Sequence, residues 1–257
     1  MSTFKKCCAG LRGLALPLLL VAAWEAASRQ DASHAYAFAS LASIGAGLRE
    51  LSGSGELWLS ALASLQRTCL GLLYGASLGT LLGAGMALSP LAARLVGPLF
   101  HSLRQVPILG LIPLLALWFG SGEGTKVLIV ALAAFYPMAL NAVEGFSQVD
   151  PRYREVGRLF GLGPWQHCWH VLLPSALPSL FNGLLHALAF AWVSSVGCEL
   201  FLSTGVGLGN MMMNAEAGAR MDIIVIGVLC IGLLGYAMNL LFSRLSQRLL
   251  RWRPLRR

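Results

Sequence analysis

Glu155-Val-Gly-Arg-Leu-Phe-Gly-Leu-Gly-Pro-Trp-Gln-His-Cys-Trp-His-Val-Leu-Leu-Pro174 is a short, partly charged stretch set between two long apolar runs. Its pattern predicts a helix over 151–160, a break at 161–164, a second helical turn or two over 165–170, and then Leu-Leu-Pro. Glycine reaches backbone conformations closed to other residues, and proline removes a backbone donor, so Gly161-Leu-Gly-Pro164 interrupts the helix. Everything on either side is apolar enough to need a lipid solvent.

The 257 residues are 56% hydrophobic and 12% charged. A soluble domain of this size cannot hide that much apolar surface, so a polytopic helical membrane protein is expected. Six cysteines, at 7, 8, 69, 168, 198 and 230, form no C-x-x-C pair and read as small buried hydrophobes.

Six spans are expected. The first, Leu14–Ala27, follows Lys5, Lys6 and Arg12; it imitates a secretory signal but is read as a retained helix because five spans follow. Residues 28–58 hold Leu41, Ile44, Leu48 and Leu51 at helical spacing, which suggests an amphipathic helix on the outer membrane surface. The second span, about Leu59–Leu88, carries Gly71, Gly75, Gly79 and Gly83 at strict i, i+4 spacing. Such a stripe lets another helix approach closely in a bilayer.

The third span, about Val96–Phe119, contains Pro107 and Pro113 and is expected to kink or break, as helices lining a pathway often do. The fourth is about Val127–Phe146, the fifth Ser175–Leu202 and the sixth Asp222–Phe242, with a loop over 203–220 between the last two. Two divisions follow: 1–58, an N-terminal span with its surface segment, and 59–254, a transmembrane unit containing the loop 150–174.

Under this topology the +8 charge has an ordinary origin. Of nineteen Lys and Arg, Lys5, Lys6, Arg12, Arg94, Arg104, Arg152, Arg154, Arg158, Arg244, Arg248, Arg251, Arg253, Arg256 and Arg257 share one side. Arg29, Arg49, Lys126 and Arg220 fall on the other, and Arg67 lies within a span. The positive-inside rule puts both termini and the 150–174 loop in the cytoplasm, and the basic excess meets anionic lipid rather than nucleic acid.

Enzymatic signatures are missing. Gly120–Lys126 has Thr125 where a phosphate loop needs glycine, and Gly205-Val-Gly-Leu-Gly209 is not G-x-G-x-x-G. His34, His101, His167, His170 and His186 are scattered without carboxylate partners at ligand spacing, so no metal site is expected. Two ionisable residues lie inside spans. Arg67 and Glu199 each cost about 2.5–3.5 kcal/mol at a bilayer centre, and both sit near outer ends. They either snorkel, or pair at an outer gate, or Arg67 faces an anionic solute. Arg104, at the inner end of the third span, either attracts an anion or satisfies the charge rule.

Glu155, Gly161, Val171, Leu173 and Pro174 stand at E-x5-G-x9-[IV]-x-L-P, which resembles the cytoplasmic "EAA" loop of ABC-importer permeases. Val156-Gly157 stands where that family has Ala-Ala, a departure expected to weaken the helix slightly because glycine is a poor helix former. Ala63–Arg67, Leu103–Pro107, Ile112–Glu123, Leu173–Pro178 and Glu199 with Gly207-Leu-Gly209 look like the nitrate/sulfonate/taurine group. Leu250-Arg-Trp-Arg-Pro254 looks most like its aliphatic-sulfonate members.

The resemblance implies an all-α type I importer permease with six transmembrane helices. In that class two permeases pair, two ATPase subunits dock on the coupling loop, and a periplasmic binding protein delivers solute. It implies no cofactor on this chain and ATP bound by the partner. A six-span scaffold without an ATPase, or a passive ion channel, are the readings from other classes.

Overall fold

The computed structural model describes residues 16–29, 38–202 and 204–250, apart from the side chains of Arg154 and Arg158. The terminal basic residues, Cys7, Cys8, His34 and the Leu250–Pro254 motif beyond Leu250 lie outside the described residues. Among the described residues all regular structure is helical. The helices are α1 (Leu16–Ser28), α2 (Leu41–Ser54), α3 (Glu56–Leu88), α4 (Pro90–Leu103), α5 (Ile108–Phe119) and α6 (Glu123–Ser147). They continue with α7 (Pro151–Leu159), α8 (Pro164–Phe201), α9 (Leu208–Ala217) and α10 (Met221–Leu249).

Local chemistry sets these boundaries. The Ser40 hydroxyl accepts from the Ser43 amide at 3.1 Å and starts α2. Gly55, at φ 79°, ends α2 and turns the chain straight into α3. Ser89 caps α4 by accepting from the Ala92 amide at 3.3 Å, with Pro90 at the first helical position.

Helices α3, α6, α8 and α10 are long and apolar enough to cross a membrane. The expected third span is two helices, α4 and α5, bent by 95° across a short break. Pro107 causes it: it has no amide to donate back into α4 and holds its own backbone extended. Pro113, expected to kink the same span, sits inside α5 without ending it.

The described part of α1 has 13 residues, about 20 Å of helix against a hydrocarbon core of about 30 Å. Its expected start at Leu14 lies outside the described residues. The amphipathic segment is helical as α2, but it is more than a surface float. Leu51 is buried, and a Cβ on Gly47 would stand 2.6 Å from the Asp222 carboxylate at the start of α10. The expected loop over 203–220 is largely helix, since α9 fills 208–217.

Three helices make the centre. Helix α6 runs between α3 and α8. On the α3 side the glycine stripe meets it: a Cβ on Gly71 would lie 2.6 Å from Val130 Cβ, on Gly79 2.6 Å from the Phe135 carbonyl, and on Gly83 2.6 Å from Ala142 Cβ. On the α8 side the arrangement is reciprocal, with Gly145 of α6 against Ser179 and Gly183 of α8 against Asn141. Ala134, Ala139, Ala142, Ala176, Ala187 and Ala191 fill the two seams, fully buried. Backbones this close exclude larger side chains, which is how membrane helices gain packing energy where no water is expelled. Helix α10 lies outside this trio, resting Gly235 on Trp192 and Gly227 on Met212 of α9.

Candidate functional site

Two constellations stand at opposite ends of α8. The first is the loop 150–174. Helix α7 ends at Leu159, and Gly161 reverses the chain at φ 66°. The second limb does not stop at His170 as the spacing suggests. It runs on as a single 38-residue rod to Phe201. Residues Cys168–Leu172 form one wide turn, in which the Leu173 amide donates to the Cys168 carbonyl five residues back. Pro174 supplies no amide to the His170 carbonyl, next to this wide turn, and Pro178 none to the Pro174 carbonyl, yet the rod continues unbroken.

Gly157 has a positive reason to be glycine. It is buried against the second limb, where a Cβ would lie 2.8 Å from His167 Cε1 and 3.4 Å from Val171. A side chain there would meet the His167 ring, which would have to turn away. Glu155 and Val156 face outward, and Leu173-Pro174 open the straight part of the rod. The outer face shows Tyr153, Val156, Leu159, Phe160, Trp165 and Trp169, all exposed. Trp165 and Trp169 meet edge to face at 5.7 Å. With Tyr153, Val156, Leu159 and Phe160 outside the long spans and Trp165 and Trp169 on the first two turns of α8, this is an apolar, aromatic surface of the kind that marks a protein contact.

The second constellation lies at the far end of α8. Arg67 of α3 and Glu199 of α8, which the sequence left as either snorkelling or paired, are bonded to each other. Their side chains are 2% and 0% exposed. Glu199 also accepts from the Ser64 hydroxyl at 2.8 Å and the Gly209 amide at 2.7 Å. Arg67 reaches further, to Glu123 of α6 at 2.7 and 3.0 Å and to the Val206 carbonyl at 3.1 Å. Lys126, one turn along α6, is fully buried, bonds Glu123 at 3.1 Å and donates to the Thr204 carbonyl. Two cations thus face two carboxylates.

Neither Glu123 nor Lys126 was singled out as a site residue from the sequence, where both fell in the connection between the third and fourth spans. The available signal was the glycine alternation that follows Glu199. A Cβ on Gly205 would lie 2.7 Å from Glu123 Oε1, on Gly207 2.6 Å from Glu199 Oε2, and on Gly209 2.7 Å from Glu199 Cβ. Gly205-x-Gly-x-Gly209 is therefore a cradle for two carboxylates. Arg104 stands apart, exposed at the end of α4 beside the bend. Among the described residues no cluster of His, Cys, Asp or Glu could hold a metal ion.

A helical core built on glycine seams, a broken span and a helical hairpin presenting aromatic residues are the frame of a polytopic membrane protein with a surface fit for a partner. Residues 75–251 match the model of the family described as binding-protein-dependent transport system inner membrane component, and the chain belongs to that family. It is the permease component of an ABC importer, and ATP hydrolysis belongs to a separate subunit.

It is 35% identical to a protein named as an aliphatic sulfonates transport permease, SsuC, of Escherichia coli K12, over 93% of this chain and 90% of the relative. It is 34% identical to the taurine transport system permease TauC of the same organism, over 76% and 71%. A second protein named SsuC, from Bacillus subtilis 168, is 32% identical over 95% and 88%. Among solved structures, an amino acid ABC transporter crystallised with histidines aligns at TM-score 0.60 and 21% identity, over 80% of this chain and 98% of that one. The methionine transporter MetNI in an inward-facing conformation aligns at 0.56 and 19%, over 76% and 94%. These establish the type I importer permease fold.

Proposed function

We propose that this permease moves small anionic solutes, aliphatic sulfonates first among them, from periplasm to cytoplasm. The match to a sulfonate permease across 93% of the chain supports that solute class, and taurine or nitrate is the second reading. Two copies pair as a homodimer, carry two ATPase subunits and receive solute from a periplasmic binding protein. The chain itself holds no cofactor. Both termini and the loop 150–174 face the cytoplasm, α1 and the bent α4–α5 pair complete six spans, and residues 59–254 form the transport unit to which 1–58 is appended.

The observation that carries this reading is the exposed aromatic face of the hairpin Pro151–Trp169. It spans α7, the turn after it and the first two turns of α8, and a protein partner would cover it. Glu155, Val156, Gly157, Gly161, Leu173 and Pro174 shape that contact. ATP favours one conformation by bonding it better than the other, and the contacts that differ lie here. Arg67 and Glu199 serve at the outer end of the unit, and Arg104 draws anions at the inner end.

The test is retention of the ATPase on tagged permease, with hydrolysis measured in the presence of loaded binding protein. Gly161→Asp places a side chain at φ 66°, straining the turn by about 1–2 kcal/mol while leaving every span intact. Membrane insertion should persist, and ATPase retention and solute-stimulated hydrolysis should fall. Wild-type values for both would remove the coupling role.

A further inference from the structure

The far-end ionic network does something a gate contact would not. It is wholly internal to one subunit, and it ties three spanning helices to one connection. Arg67 comes from α3, Glu123 and Lys126 from α6, and Glu199 from α8. Each also reaches or borders the 202–209 connection. Arg67 donates to Val206, Lys126 to Thr204, and Gly209 donates to Glu199. Thr204 bonds the Ser121 carbonyl through its hydroxyl, and the Asn210 amide reaches the carbonyls of Thr204 at 3.0 Å and Gly205 at 3.3 Å. The Leu208 amide donates to the Ser64 hydroxyl at 3.0 Å.

We propose that Glu123 and Lys126 are positioning residues which, with Arg67 and Glu199, clamp the far ends of α3, α6 and α8 into one unit that moves without opening. Burial is the first argument. The Arg67, Glu199 and Lys126 side chains are 2%, 0% and 0% exposed, so parting Arg67 from Glu199, or Lys126 from Glu123, would leave a buried charge without its partner. Electroneutrality is the second, because the four charges cancel locally and the set needs no counter-ion. Continuity is the third. The clamp closes the same three-helix unit that the glycine seams hold below it, along Gly71–Gly83 and at Gly145 and Gly183, and those seams leave no slack for sliding. Arg67 and Glu199 therefore transmit the displacement delivered at the hairpin, and access changes where this unit meets its neighbours.

This rests on the permease reading above, and the experiment separates the two. Leu59 and Phe201, exposed near the far ends of α3 and α8, are replaced by cysteine for spin labels in a chain whose native cysteines are substituted. The complex is reconstituted with ATPase and binding protein. The wild-type distance should be narrow and the same in nucleotide-free and ATP-trapped states. Lys126→Met should broaden it and lower solute moved per ATP by about fivefold or more. Glu123→Gln, at a 58% exposed side chain, is the milder second variant should Lys126→Met fail to assemble.

A wild-type shift of about 5 Å between states, the size of a one-turn helix displacement, would overturn the clamp and leave the permease reading standing. Variants with an unchanged distance, or a broadened distance with unchanged solute per ATP, would also overturn it. Failure of wild-type permease to retain an ATPase would instead overturn the proposed function, and the clamp with it.

Discussion

Gly75→Ala should destabilise this protein although alanine is the better helix former. A Cβ at Gly75 would lie 2.8 Å from Ala134 Cβ and 3.0 Å from the Ala131 carbonyl carbon. Carbon atoms settle at about 3.5–4.0 Å, so α3 and α6 would have to part by about 1 Å. The obstacle is backbone, which no rotamer change relieves, and parting the helices there also lifts Gly71, Gly79 and Gly83 from their seats. Overpacking costs about 1–3 kcal/mol and, against backbone, the upper part of that range, about 2–3; relief of the glycine penalty returns about 1, so the net loss is about 1–2 kcal/mol.

Gly85 lies on the same helix with open space where its Cβ would go, so Gly85→Ala should gain up to about 1 kcal/mol. The two substitutions are chemically identical and ten residues apart, yet they should differ by about 2–3 kcal/mol with opposite signs. Equilibrium unfolding in mixed detergent micelles, followed by tryptophan fluorescence, reads both. If Gly75→Ala matched or exceeded wild-type stability, the close α3–α6 seam would be wrong.

Exchanging the charges, Arg67→Glu with Glu199→Arg, should not restore transport, because the reversed pair puts a carboxylate beside Glu123 and an arginine against the Gly209 amide. Recovery in a proteoliposome uptake assay would mean that Arg67 and Glu199 act as an isolated pair. Arg220 bonds Glu50 at 2.8 Å and holds its carboxyl below the usual range. A depressed folded pKa stabilises above the unfolded value, about 4.3 for Glu, and that contribution is lost as pH falls further through the folded value. Glu50→Gln should therefore melt slightly earlier than wild type at pH 7, with the gap closing as pH drops below about 4.3; a gap that persisted at pH 3 would sink this assignment. Reporter fusions at Ser54 and Ser121 should report the periplasm and one at Gly163 the cytoplasm, and an external Gly163 would invert the proposed orientation.

Much of the membrane architecture was legible because its signals are local. Gly71 to Gly83 repeats at one helical turn, and Ser89-Pro90 and Pro107 stop helices by removing donors, so seam and breaks can be read without knowing the partner. Prolines inside helices were harder. Pro113, Pro137 and Pro178 leave single carbonyls without an amide donor, which neighbouring turns can absorb, so no proline alone states whether it breaks a helix. Glu123 and Lys126 were missed because they fall in the connection between the third and fourth spans. The pairing that buries Lys126 comes from residues 56 and 78 positions away, Arg67 with Glu123 and Thr204 with Lys126. Gly157 illustrates the opposite error. Helix propensity alone marks it as a weakness, whereas its missing Cβ leaves room for the His167 ring of the second limb.

The wide turn at Cys168–Leu172 also fixes a phase. An α-helix advances 100° per residue, so one residue more or fewer in that turn would rotate the rest of the rod by about that angle relative to Trp165. Glu199 would then swing out of reach of Arg67 while the hairpin kept its shape. The turn is thus a register key between two ends of one rod, and it constrains length where the sequence tolerates change. Single-residue insertions or deletions within 165–173 should be far less tolerated than substitutions at the same positions.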